Sequence, residues 1–126
     1  MHHSIFCDGN AKRICWSIKT DQNLVEQSRD QAEIYAGQVS NMEAIYIALH
    51  AAVFWSIGVF IIKNGDVVKI HLESEEMIRH LSTDIKSDNK IIEDKKKFIN
   101  MLAAQRSLQY QFEKISHEQN ISSKLL

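Results

Sequence analysis

The chain has 126 residues, 15 Lys plus Arg against 16 Asp plus Glu, and no proline. That length suits one domain, residues 1–126, with one core, and 44% apolar with 25% charged residues excludes a disordered, collagen-like or disulfide-stapled chain. A formal net charge of -1 excludes a nucleic-acid coater that works through bulk basicity, so any such contact must rest on local charge.

In chain order, Ser4–Cys7 and Arg13–Lys19 read as strands, the second with Ile14, Trp16 and Ile18 on one face, and the Gly9-Asn10 turn signal joins them into an antiparallel hairpin. Cys7 and Cys15 fall across this hairpin from each other and read as two reduced, buried thiols, the usage of a cytoplasmic protein. No basic region with a long apolar core follows Met1, so no signal peptide is expected. Asn23–Gln27 and Glu33–Tyr35 carry weaker strand patterns and are expected to form a second strand end and a third strand.

A helix is expected from about Ser40 to Ser56, opened by a Ser40-x-x-Glu43 capping box. Within and beyond it, Ala44–Ile62 is a 19-residue run with no formal charge, long enough to cross a membrane. His50 in its middle, Gly58, and the lack of a basic flank beyond Lys63 favour a buried helix, with no membrane partner. After the Asn64-Gly65 turn, Val67–Leu72 is a strand, and Ser74 begins a short helix through Leu81. Thr83–Asn89 reads as a loop, Ile92–Leu108 as an amphipathic helix and Tyr110–Ile115 as a last strand. Lys95, Lys96 and Lys97 with Lys86 and Lys90 form a local basic patch: a solvated helix end, or a phosphate contact. Three antiparallel strands followed by strands joined through helices give a mixed sheet covered by helices.

Three carboxylates stand out by position: Asp8 closes the first strand, Glu43 lies in the first turn of the central helix, and Glu73 closes the fourth strand. If the first and fourth strands are parallel neighbours, Asp8 and Glu73 end at one edge, with Glu43 beneath it. Converging carboxylates repel unless a divalent cation neutralises them, and oxygen ligands suit Mg²⁺ or Mn²⁺. Each acid also has a local reading: Asp8 as a turn residue, Glu43 as the capping-box acid, Glu73 as part of a solvated helix start.

Taken in order, Asp8-Gly9, Met42-Glu43-Ala44 with Ala48-Leu49, the run Gly65 to Ser74 before Met77-Ile78, and His117-Glu118-Gln119-Asn120 resemble the type 1 ribonuclease H family of the retroviral-integrase-like superfamily. The resemblance implies a ribonuclease H-like α/β fold, a five-stranded mixed sheet with helices on both faces. It implies a metal-dependent endonuclease that cleaves the RNA strand of RNA/DNA hybrids by two-metal phosphodiester hydrolysis. Asp8, Glu43 and Glu73 would be the Mg²⁺ or Mn²⁺ ligands and catalytic acids, and His117 would assist product departure. Gly9, Asn10, Ser40, Asn41, Ser74 and Asn120 would meet the nucleic acid.

The chain departs from the family pattern at several points. Glu73 stands where the family has Asp, Lys124 falls at the counted position of its fourth acid, the first turn is shortened to Gly9-Asn10-Ala11-Lys12, and Ile57–Lys63 reads as an insertion. These departures carry the alternative of a catalytically degenerate module that binds nucleic acid or protein.

Overall fold

The computed structural model describes residues 1–126, the whole chain. Its elements are β1 (His2–Gly9), β2 (Arg13–Thr20), β3 (Asn23–Asp30), α1 (Asn41–Gly58), β4 (Val67–Leu72), α2 (Glu75–Ser82), α3 (Lys90–Arg106) and β5 (Gln109–Lys114), followed by 3-10 turns at His117–Gln119 and Ser123–Leu125. The sheet runs in the order β3-β2-β1-β4-β5, antiparallel across β3, β2 and β1 and parallel across β1, β4 and β5. This is the five-stranded mixed sheet expected.

Strand alternation sorts the sheet's two faces. Ile5 and Cys7 of β1, Ile14, Trp16 and Ile18 of β2, and Val68, Ile70 and Leu72 of β4 enter one core with Ala44, Ala48, Leu49, Ala52 and Val53 of α1. Each fully buried large side chain, such as Leu49 or Ile70, contributes about 1.5–3 kcal/mol. Met77 and Leu81 of α2 and Ile99 and Leu102 of α3 join the same core, so all three α-helices cover this face. Helical cover on the other face is limited to the 3-10 turn Ser123–Leu125, which lies against β1 and β2.

Alanines at 44, 48 and 52 recur at the spacing of one helix face, and they let α1 lie close on the sheet. At Gly9 the approach is closest: a Cβ there would stand 2.8 Å from the Ala44 carbonyl oxygen and 3.0 Å from the Ala44 Cβ. The capping box forms as expected, with Ser40 Oγ accepting from Glu43 N at 3.1 Å and Glu43 Oε1 accepting from Ser40 N at 2.7 Å. No helix is long and apolar enough to cross a membrane. α1 runs on to Gly58 before a turn that buries Ile62.

Three local expectations are corrected. The third strand is one continuous edge strand, Asn23–Asp30, and Glu33–Tyr35 is a turn in which the Tyr35 and Ala36 amides both donate to the Ala32 carbonyl. Gly37 follows at φ +72°, a backbone that a strand does not contain. The register sets Cys7 against Trp16 and Cys15 against Asp8, so the two thiols point to opposite faces of the sheet, free and buried. The basic patch is divided: Lys96 is buried and its ammonium donates to the Thr83 and Ile85 carbonyls, tying the α2–α3 loop to α3, whereas Lys95 donates to His50 Nδ1 at 3.0 Å.

Candidate functional site

Parallel pairing of β1 with β4 sets Phe6 against His71, and continuing that register by two residues brings Asp8 beside Glu73. Because Cys7 enters the core, Asp8 points to the opposite face. Its Oδ1 accepts from Gly9 N at 2.8 Å and its Oδ2 from Ser123 Oγ at 2.6 Å. Glu73 is held as firmly: Oε1 accepts from His117 Nδ1 at 2.9 Å and Oε2 from Asn120 Nδ2 at 2.7 Å. Ligand atoms of Asp8, Glu73 and His117 all lie within 4.8 Å of one another.

Asn120 is the clamp of this arrangement. It is buried, its second N–H donates to the Cys7 carbonyl at 3.0 Å, and its Oδ1 accepts from Ser122 N and Ser122 Oγ. Both donors and the acceptor oxygen are committed within the protein, so Asn120 orients Glu73. The Glu73 carboxylate beside His117 raises that imidazole's pKa above the usual histidine range, favouring the doubly protonated ring.

Glu43 lies one residue from the Gly9–Ala44 contact, yet its carboxylate is turned to Ser40 N and, through Oε2, to Asn89 Nδ2 at 2.8 Å. The Ser40 N–H and then Asn89 hold its pKa below the ordinary glutamate value. Its oxygens are outside the cluster of Asp8, Glu73 and His117. Among the residues expected to meet nucleic acid, Gly9 packs on Ala44, Asn10 caps the Lys12 and Arg13 amides, Ser40 caps α1 and Ser74 caps α2. Asn41 is exposed at the start of α1.

Lys124, placed by motif counting at the fourth acidic position, pairs with Glu26 at 3.4 Å. The group that meets Asp8 is the neighbouring Ser123 hydroxyl. Ser123 and the Asn89 link from α3 to Glu43 escaped sequence reasoning; Asn89 carried a signal as an N-cap residue, Ser123 none.

The Asp8 and Glu73 carboxylates fit one divalent cation of the Mg²⁺ or Mn²⁺ kind, since each carboxylate oxygen keeps a lone pair beyond its one hydrogen bond, while the His117 ring beside them serves as a donor. A second cation is less well provided for, with a neutral hydroxyl at Ser123 and Glu43 engaged in its cap.

A five-stranded 3-2-1-4-5 sheet with one long helix across β1 and an acidic pair at the β1/β4 edge is the ribonuclease H fold. Among solved structures, the N-terminal RNase H domain of a Mycobacterium tuberculosis protein superposes with a TM-score of 0.79 at 15% identity, over 98% of this chain and 89% of that one. RNase H1 from the archaeon Halobacterium salinarum gives a TM-score of 0.75 at 14% identity, over 98% and 92%. LC11-RNase H1, solved in complex with an RNA/DNA hybrid, gives 0.71 at 22% identity, over 98% and 92%. No family model matches the sequence, and no curated relative is found from it.

Proposed function

We propose that this chain is a divergent ribonuclease H that binds RNA/DNA hybrids and hydrolyses the RNA strand with a divalent cation. The observation that carries the reading is the convergence of Asp8, Glu73 and His117 at the β1/β4 edge, on a fold shared with a protein solved on an RNA/DNA hybrid. A divalent ion, when bound, holds a phosphate oxygen, activates water and stabilises the leaving oxygen. Asp8 and Glu73 would hold it. Gly9 N and Ser123 fix the Asp8 carboxylate, and Asn120 fixes Glu73, so the ligands are oriented beforehand. His117, with Nδ1–H on Glu73, leaves Nε2–H to deliver a proton to the departing oxygen.

A second reading, a module that binds without cleaving, is favoured by the Ser123 hydroxyl on Asp8 and by the engagement of Glu43 in its capping box. One experiment separates the two. A labelled RNA/DNA hybrid is incubated with the protein in Mg²⁺ and in Mn²⁺, beside Asp8→Asn. Hybrid-specific cleavage that Asp8→Asn abolishes, with the variant still folded, is the expected result. Cleavage that survives the substitution refutes the catalytic assignment, and hybrid binding with no cleavage in either metal selects the binding module.

A further inference from the structure

The face of the sheet away from the α-helices carries a groove of about 500 Å³ that neither Asp8 nor Glu73 lines. Its organisation follows from the register. Ser4 of β1 pairs with Lys19 of β2 on one side and Lys69 of β4 on the other, so the three form a single row across the sheet. Strands lie about 4.8 Å apart, which sets the two lysine backbones about 10 Å apart with a hydroxyl between them. A phosphate over Ser4 is therefore within reach of both ammonium groups. Neither lysine is paired with a carboxylate. Asp21 is the one acid that lines the groove, and His2 stands at the same end.

The neighbouring row forms the groove's floor. Phe6 and His71 stack with ring centroids 4.2 Å apart and planes 10° from parallel. His71 is 9% exposed, its Nδ1 lies 3.1 Å from Glu113 Oε2, and its buried Nε2 has no partner. His71 thus closes the floor of the groove on the strand that carries Lys69, two residues further along.

We propose that Lys19, Ser4 and Lys69 form a phosphate-binding row, which holds a backbone phosphate of bound nucleic acid on the face that Asp8 also occupies. Ser4 lies four residues from Asp8 along β1, about 13 Å at strand rise, so the row engages a phosphate a few nucleotides from the acidic pair. The nucleic-acid source of that phosphate rests on the function proposed above; the row itself does not.

The test has two arms on the intact chain. In EDTA, binding of a labelled RNA/DNA hybrid is followed by anisotropy from 50 to 200 mM salt, as wild type and as Lys19→Gln, Lys69→Gln and the double variant. The row holds one phosphate, and losing that contact lowers the slope of log affinity against log salt by about 0.9, so the double variant loses about 3.5-fold less affinity than wild type across that range. Wild-type slopes in the double variant, while wild type binds the hybrid, overturn the nucleic-acid source. In the second arm, inorganic phosphate is titrated at constant ionic strength while the Ser4 and Lys69 amides and the His71 ring are followed by NMR. Saturable shifts there establish a phosphate site, with free phosphate as its ligand if the hybrid arm is negative; no shift in this arm and unchanged slopes in the other overturn the row altogether. If wild type binds no hybrid, the function proposed above fails and the phosphate arm alone decides the row.

Discussion

Replacing Gly9 by alanine tests the packing that sets the acidic edge. Gly9 is not among the residues with positive φ, so the backbone accepts alanine and the cost comes from contact alone. The new Cβ would sit 2.8 Å from the Ala44 carbonyl oxygen and 3.0 Å from Ala44 C and Cβ, against an ordinary contact of 3.4–4 Å. Two of these atoms are helix backbone, so β1 and α1 must separate by several tenths of an ångström. Overpacking of this kind costs about 1–3 kcal/mol. With an unfolding entropy of about 2.1 cal/mol/K per residue, 126 residues convert each kcal/mol into about 4 °C, so a 2 kcal/mol loss lowers Tm by about 8 °C. Thermal unfolding by circular dichroism and a denaturant titration read this directly. Because Asp8 precedes Gly9, divalent-dependent cleavage should fall further than the folded fraction does. A Tm within 2 °C of wild type, with activity retained, would show that β1 and α1 do not approach this closely.

Three other outcomes are expected. Ser123→Asp places a carboxylate where a hydroxyl now donates to Asp8, so it should lower Tm in EDTA and raise the stabilisation gained from millimolar Mg²⁺; equal gains in variant and wild type would refute the placement of Ser123. In the metal-free protein, the contribution of the His117–Glu73 pair is complete below the ordinary histidine pKa and is lost as pH rises through the elevated one. An NMR titration of the His117 ring should therefore show a raised pKa that Glu73→Gln returns to normal, and an unmoved titration would count against the pairing. Asp66 feels burial, which raises its pKa, but the Lys63 amide, His3 and the Met1 amine outweigh this and hold it down to about 2. Its contribution is present above the ordinary aspartate pKa and disappears as pH falls from about 4 towards 2. Asp66→Asn should cost about 2 kcal/mol near neutral pH and flatten the acid limb in that window, and an unchanged acid limb would refute the pairing.

The elements were legible where pattern and physics coincide. The alternation of Ile14, Trp16 and Ile18, the Ser40–Glu43 capping box and the apolar core strand Val67–Leu72 each announce one structure, and each forms. Asp8 and Glu73 could be placed at one edge because parallel pairing of their strands leaves no other arrangement. The glutamate at 73, one methylene longer than the expected aspartate, reaches both His117 and Asn120. What sequence could not supply was side-chain direction. The capping box announced that Glu43 turns back to Ser40, but nothing in the spacing tells that its other oxygen takes Asn89, or that a 3-10 turn presents Ser123 to Asp8 and sends Lys124 to Glu26. Lys96, read in a basic run, is buried because two carbonyls of the preceding loop need a donor, a requirement visible only in three dimensions.

The bonds from Asn120 to the Cys7 carbonyl and from Ser123 to Asp8 join positions 113 and 115 residues apart. All five strands and three α-helices lie before residue 115, so the sheet and its core contain nothing from the segment that steadies the acids. Removing residues 117–126 would leave the core's apolar contacts nearly intact, yet Asp8 would lose Ser123 and Glu73 would lose both His117 and Asn120. During synthesis the scaffold can therefore close before the acids are ordered. Residues 117–126 act as a latch, and the acids at the β1/β4 edge are held in place only when this segment has come back to β1.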